Sequence, residues 1–130
     1  MVGPSGRVIA VDIQQKMLDR LKHRAAKAGL LDRLDARLAS SDSMAIADLS
    51  GLVDFTLAFA VVHEFPDAAR FFTEVAAASK SGASLLLAEP TGHVKAADFE
   101  AELKAASDAG FALLDHPLIR RSHTALLKRG

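Results

Sequence analysis

The stretch Arg7-Val-Ile-Ala-Val-Asp12 is a short apolar run that ends on a carboxylate and leads directly into a helical pattern from Gln14 to Ala28. A run of this length followed by a helix is typical of a parallel strand and its crossover helix. In open α/β sheets, an acid at the carboxyl end of such a strand accepts the ribose hydroxyls of a nucleotide-like cofactor. Asp12 is therefore a candidate binding residue, and its alternative role is to cap the helix that follows.

The rest of the chain alternates strand-like and helix-like segments without a linker, a repeat or a low-complexity tract. The further predicted elements are a weak strand at 35–39, a strand at 53–60 buried on both faces, a helix opened by Pro66 and Asp67 and closed by Gly82, a strand at 84–89, a helix at 96–109, and strands at 111–115 and 122–128. The last two strands are too close for a crossover helix and should pair antiparallel. The pattern predicts one domain with a three-layer α/β fold, in which a mostly parallel sheet carries an antiparallel C-terminal edge.

Charge and composition argue against several classes of partner. Sixteen basic residues balance sixteen acidic ones, so no net field favours nucleic acid or anionic lipid. The chain has no cysteine, no charged leader before a short apolar core, and no apolar run near the roughly 20 residues of a membrane span. We therefore expect a cytoplasmic protein without a nucleic-acid or membrane partner.

The histidines bear on whether the chain binds a metal, and the pair Phe71-Phe72 bears on whether it has an exposed aromatic contact. His23, His93 and His116 share no spacing with one another or with carboxylates that would form a metal site, so no metal is predicted. His123 lies in a predicted strand and is expected to be a packed or surface residue. Neighbours on a helix point about 100° apart, so one of Phe71-Phe72 should be exposed, either as a dimer contact or as an isolated surface residue.

Several short segments follow one another along the chain in a characteristic order. They are 2–13, Ser41-Asp42, 53–54, 62–64 with Asp67, 79–82 before 85–90, Gly110-Phe111 and Ser122-His123. Their order and spacing resemble the successive motifs of the class I S-adenosylmethionine-dependent methyltransferases, in the branch of the ubiquinone-biosynthesis-type and type 11 enzymes. The resemblance covers nearly the whole chain and implies a Rossmann-like sheet with strand order 3-2-1-4-5-7-6.

The resemblance assigns the adenosine part of the cofactor to two strand ends. It implies that Asp12 accepts the two ribose hydroxyls and that Ile13 packs beside the adenosine. It also implies that Asp42 accepts the adenine amino group while the backbone N–H of Ser43 meets the ring. For Asp42 the alternative is an ordinary polar turn, since Ser-Asp-Ser is a common turn sequence.

The resemblance assigns the reacting methyl group to the segment after the strand at 53–60. It implies that Ala60, Val61 and Val62 line the sulfonium and the methyl-transfer site. His63 is the candidate general base if the acceptor must lose a proton, since an unperturbed histidine titrates near pH 6.5. The alternative for His63 is a structural cap. Glu64 is either a substrate-facing residue or a solvated residue at the entry to the helix.

The first strand of the family and its glycine-rich turn, which hold the methionine part of the cofactor, have no counterpart before Val2. We therefore expect residues 1–130 to be an N-terminally incomplete domain with two open strand edges, at 7–12 and 53–60. Unmet buried backbone groups on such edges cost about 1 to 3 kcal/mol each. The edges should pair with each other, be filled by a second copy in a homo-oligomer, or be completed by upstream residues.

The function implied by the resemblance is methyl transfer from S-adenosylmethionine to an unidentified small molecule, impaired in this chain by the missing turn. One alternative is a non-catalytic association module that uses the same fold through its open edges. Another is an unrelated nucleotide-binding fold for a nicotinamide cofactor, because a strand-end Asp does not by itself distinguish adenosine carriers.

Overall fold

The computed structural model describes residues 6–40, 43–59, 62 and 65–130. Strands and helices alternate along the chain, which confirms the predicted α/β class. The chain divides into two compact units, Met1–Ala45 and Ile46–Gly130. The expectation of a single domain stays a prediction.

The first unit is a β-α-β element. Strands β1 (Val8–Asp12) and β2 (Leu34–Leu38) pair in parallel, and helix α1 (Gln15–Lys27) connects them. Gly29 follows the helix with a φ of 71°, a conformation that glycine adopts without a steric penalty. These elements lie within about two residues of their predicted bounds, because periodicity and a terminating glycine are local signals.

The second unit carries a four-stranded sheet and two helices. In chain order its elements are β3 (Val53–Phe59), α2 (Ala68–Ala78), β4 (Ser79–Pro90), α3 (Ala96–Asp108), β5 (Phe111–Asp115) and β6 (Ser122–Arg129). The strand order is β3-β4-β6-β5, with β3 parallel to β4 and the other pairings antiparallel. The predicted antiparallel C-terminal edge is confirmed. The expectation of a mostly parallel sheet is met only in part, since this sheet has one parallel pairing.

The core of the second unit lies between its helices and the sheet. Helix α2 contacts β4 and α3, and α3 contacts β5 and β6. The largest side chains with almost no exposure are Phe72, Leu85, Leu87, Leu127, Glu89, Val62 and Val75. Alternate residues of β4 point into this core, as the period of two along a strand requires.

Two predictions about helix α2 are wrong. Phe71 and Phe72 are both buried, because Phe71 packs against the ring of Phe65 as well as against Phe72, so neither is an exposed dimer contact. The helix ends at Ala78 and not near Gly82, which lies inside β4. The last carbonyls of the helix accept hydrogen bonds from the N–H groups of residues 51 and 52, which allows the chain to turn directly into the strand.

The prediction that β3 is buried on both faces is also wrong. Ala58 is buried, but the alternate side chains of Phe55, Leu57 and Phe59 are about half exposed. Among the described residues, β3 is an edge strand of its sheet. A continuous apolar run predicts a strand, but it does not reveal whether both faces of that strand are covered.

The turn after α3 requires a glycine at position 110. Gly110 has a φ of 107°, and a Cβ atom built there would lie 2.8 Å from Nη1 of Arg129. Gly110→Ala should therefore lower the free energy of unfolding by about 1 to 2 kcal/mol, as measured by urea denaturation. Gly92→Ala is the control, because a Cβ atom at that residue would have no other atom within 4 Å and no positive φ opposes alanine there. Equal urea midpoints for the two variants would contradict the prediction.

Candidate functional site

The carboxyl ends of β1 and β2 lie side by side in the first unit. The N–H of Ala39 donates to the backbone oxygen of Asp12 over 2.8 Å. Oδ1 of the half-buried Asp12 accepts a hydrogen bond from the N–H of Gln14 over 2.9 Å. This local bond holds the carboxylate at the strand end and fixes the entry to α1. The N-cap position of α1 is Gln14, whose side chain makes no capping hydrogen bond.

The turn after β2 is held by several polar contacts. The backbone oxygen of Ser43 accepts from the N–H of Ser40 over 2.9 Å, and its Oγ accepts from the N–H of Ala45 over 3.2 Å. Nη1 of Arg37 donates to the backbone oxygen of Ala45 over 3.0 Å, while its Nη2 lies 2.8 Å from Oδ2 of Asp35. These bonds place Ser43 beyond the carboxyl end of β2, in the same unit as Asp12.

The groups at these strand ends have the chemistry that adenosine requires. Asp12 supplies a carboxylate that can accept hydroxyl hydrogen bonds, and Ile13 beside it presents a side chain that is 37% exposed. A carboxylate next to an exposed aliphatic surface suits a ribose joined to a flat purine. The described residues of the first unit therefore fit the adenosine part of the cofactor that the sequence resemblance implies.

Five residues singled out from the sequence lie outside the described part of the chain. They are Asp42, Ala60, Val61, His63 and Glu64. Their roles stay predictions. Val62, which the resemblance places at the methyl-transfer site, is described and almost fully buried.

A cavity of about 420 Å³ lies in the second unit. It is lined by Val62, Phe65, Pro66, Ala68, His93, Val94, Asp98, Ala101 and Glu102. Its walls come from the segment before α2, the turn after β4 and the first half of α3. The cavity thus combines apolar side chains with a small number of titratable groups, as ligand sites usually do.

Two buried carboxyl groups meet beside this cavity. Glu89, at the end of β4, is completely buried and accepts a hydrogen bond from the N–H of Val62 over 3.2 Å. Glu102 on α3 is 7% exposed and shares a side-chain hydrogen bond with Glu89. Burial, the charge and hydrogen bond of Glu89, and the charge of Asp98 raise the pKa of Glu102 to about 8. At neutral pH Glu102 is therefore mostly protonated, and its O–H donates the hydrogen bond to Glu89.

The burial of Glu102 was not predicted from the sequence. The apolar pattern predicts a stripe on α3 formed by Phe99, Leu103 and Ala106. In the structure the buried residues are Phe99, Glu102 and Ala106, and Leu103 is half-buried. The spacing of the residues was a usable signal, because Glu102 lies three residues after Phe99 and four before Ala106, on the same face of the helix. An acid at such a position marks a buried carboxyl group.

Two of the histidines are tied to the backbone. The ring of His123 stacks on Phe99, with centroids 5.3 Å apart, and its Nε2 lies 2.9 Å from the backbone oxygen of Val94. Nδ1 of His116 lies 2.6 Å from the backbone oxygen of Thr124. Among the residues that the structure describes, no cluster of histidine and acidic side chains is arranged to hold a metal ion. Within the same residues, no helix is long and apolar enough to cross a membrane.

Comparison with known proteins gives a family match and a set of similar folds. A family model described as a methyltransferase domain matches residues 2–87. No curated protein sequence matches the chain. A SAM-dependent methyltransferase from Aquifex aeolicus has 22% identity and a TM-score of 0.78, over 98% of this chain and 71% of that one. One from Methanosarcina mazei has 18% identity and a TM-score of 0.70, over 95% of this chain and 82% of that one.

A third similar structure is the [4+2]-cyclase SpnF, with 20% identity and a TM-score of 0.70. The match covers 85% of this chain and 45% of the cyclase, so the chain spans less than half the length of that protein. At these identities the likeness concerns the fold alone. Since one of the similar structures is named as a cyclase, the fold does not by itself define a reaction.

Proposed function

The chain belongs to the methyltransferase domain family, and from that premise we propose that it binds S-adenosylmethionine and takes part in methyl transfer to a small molecule. The observation that carries the proposal is the position of Asp12, whose carboxylate is held at the carboxyl end of β1 by the N–H of Gln14. When bound, the cofactor supplies a methyl group that its sulfonium makes electrophilic.

Different residues bind the ribose and the adenine of the cofactor. Asp12 accepts hydrogen bonds from the two ribose hydroxyls, and Ile13 packs on the adenosine. Asp42 accepts from the adenine amino group, and the N–H of Ser43 meets the ring. Support comes from the neighbouring carboxyl ends of β1 and β2, near which Asp12 and Ser43 lie, and from the exposure of Ile13.

The proposed methyl-transfer site follows β3. Ala60 and Val61 line it, and His63 accepts a proton where the acceptor is a hydroxyl or phenol. Support for this assignment comes from the family match, which includes these positions. Positioning of the acceptor against the methyl group is the main catalytic requirement, because well-oriented reactants about 3 to 3.5 Å apart gain most of the available acceleration.

Titration calorimetry with S-adenosylhomocysteine tests the cofactor site. Asp12→Asn should weaken binding by about 10- to 100-fold, because it removes a charged acceptor whose hydrogen bonds contribute about 1.5 to 3 kcal/mol. Asp32→Asn is the matched control, since it makes the same change at an exposed position of the same unit. Equal affinity for wild type and Asp12→Asn, or no binding by wild type at millimolar ligand, would contradict the proposal.

A second candidate function is a non-catalytic association module. It is favoured by the row of half-exposed apolar side chains on β3, an edge strand among the described residues. Such a module would form oligomers without binding S-adenosylhomocysteine. The other alternative, a nicotinamide-binding fold, would bind NADH and not S-adenosylhomocysteine. Sedimentation and the same titrations separate these alternatives. The expected cytoplasmic location and homo-oligomer stay predictions.

A further inference from the structure

The cavity of about 420 Å³ in the second unit has features that the cofactor proposal does not use. One part of its wall is apolar, formed by residues that include Phe65, Pro66 and Val94. Another part carries the acidic side chains of Asp98 and Glu102. A pocket with these two kinds of wall suits a ligand that has an apolar body and a polar head.

One carboxyl oxygen in the acidic part of the wall indicates which polar group the ligand carries. Glu102 is 7% exposed, and among the described residues its buried Oε1 has no hydrogen-bond partner. A buried polar atom without a partner is unfavourable and rare in folded proteins, so it calls for a specific explanation. Because a carboxyl oxygen of this kind accepts hydrogen bonds, the missing partner is a donor.

The charge around this oxygen selects the kind of donor. Asp98 and the completely buried Glu89 both act on Glu102 through their negative charge. No lysine or arginine is among the described residues that line the cavity, and the basic group there is His93, which is exposed. An anionic head would be repelled by this surface, whereas a cationic N–H donor would be attracted to it.

We propose that this cavity binds a small molecule with a protonated amino group, which donates to Oε1 of Glu102 while its apolar part packs against Phe65 and Val94. The ammonium group supplies the donor that Glu102 lacks and lies close to the charge of Asp98 and Glu89. The proposal concerns binding and does not depend on methyl transfer. Its test therefore gives a result whether or not the cofactor site is functional.

Ligand binding should be linked to release of a proton. The pKa of Glu102, raised to about 8, leaves about nine tenths of this group protonated at pH 7. A bound ammonium stabilises the carboxylate form, so the proton leaves to solvent as the amine binds. Glu89 on β4 and Asp98 on its own helix act on Glu102, and His93 in the turn after β4 lines the same cavity. His93→Gln removes the histidine from the pH profile.

Calorimetry with phenethylamine and with 2-phenylethanol tests the proposal on the full chain. The two probes have the same apolar part, and only the first carries an ammonium group. The amine should bind at least tenfold more tightly than the alcohol at pH 7. Titrations in two buffers of different ionisation enthalpy should show release of somewhat less than one proton per amine bound.

The variant Glu102→Gln keeps the shape of the side chain and cannot become a carboxylate. It should weaken amine binding about tenfold and abolish proton release, while the matched Glu100→Gln, on the exposed side of the same helix, should behave like wild type. Equal binding of the two probes to wild type would overturn the proposal without any variant. Unchanged amine binding by a folded Glu102→Gln would also overturn it. Competition between the amine and S-adenosylhomocysteine would overturn it too, because it would assign the ammonium site to the cofactor.

Discussion

Replacement of Phe72 by alanine is expected to lower the free energy of unfolding by about 3 to 5 kcal/mol, the range for a fully buried aromatic side chain. Phe72 has 0% exposure, and its ring contacts those of Phe71 and Phe111 at centroid distances of 5.1 and 6.4 Å. The change therefore removes contacts that join α2 to β5. Urea denaturation followed by circular dichroism measures the effect.

The size of this effect depends on burial and not on the loss of an apolar residue as such. Leu118→Ala is the control, because Leu118 is fully exposed in the turn between β5 and β6. A surface change of this kind should alter the free energy of unfolding by less than about 0.5 kcal/mol. A small effect of both replacements would show that Phe72 is not in a packed core.

Glu102→Gln is expected to raise the free energy of unfolding at pH 8 and to leave it nearly unchanged at pH 5. The folded protein holds the proton of Glu102 more tightly than the unfolded chain, since the pKa is about 8 in place of the ordinary 4.5. The stability from this group is complete below pH 4.5 and is lost as the pH rises through 8. The slope approaches 1.4 kcal/mol per pH unit, so the loss between pH 5 and 8 should be about 2 to 4 kcal/mol.

Urea denaturation at pH 5, 6, 7 and 8 without any ligand measures this dependence. Glutamine stays neutral at every pH, so the decline with pH should be smaller in the variant than in wild type by the amount that Glu102 contributes. Glu100→Gln should follow the wild-type profile, because Glu100 is exposed. Parallel profiles for Glu102→Gln and wild type would show that Glu102 does not hold a proton in the folded state.

Local signals in the sequence predicted much of the fold. The bounds of β1, α1, α3, β5 and β6 follow from apolar periodicity and from glycines such as Gly29 and Gly110, which have positive φ in the turns after α1 and α3. These features depend on a few neighbouring residues. The strand-end position of Asp12 followed from the same kind of signal, because a strand and its following helix define where the carboxylate lies.

Features that depend on distant residues were not predicted. Phe71 packs against Phe65, which lies outside α2, and β4 begins at Ser79 because the N–H groups of residues 51 and 52 pair with the last carbonyls of α2. The pairing of Glu102 with Glu89 joins a helix to a strand end. Each of these arrangements is a tertiary contact, which overrides local propensity and has no period of its own in the sequence.

The central position of β4 also shapes the order in which the second sheet can assemble. The hairpin of β5 and β6 closes a short loop, whereas Leu86 of β4 meets Leu126 of β6 only after about 40 intervening residues are brought together. Because the chain entropy lost in closing a loop grows with its length, we expect the β5–β6 hairpin to form before β4 pairs with β6. The sheet is therefore complete only after this non-local pairing of β4 with β6 has joined the hairpin to β4 and β3.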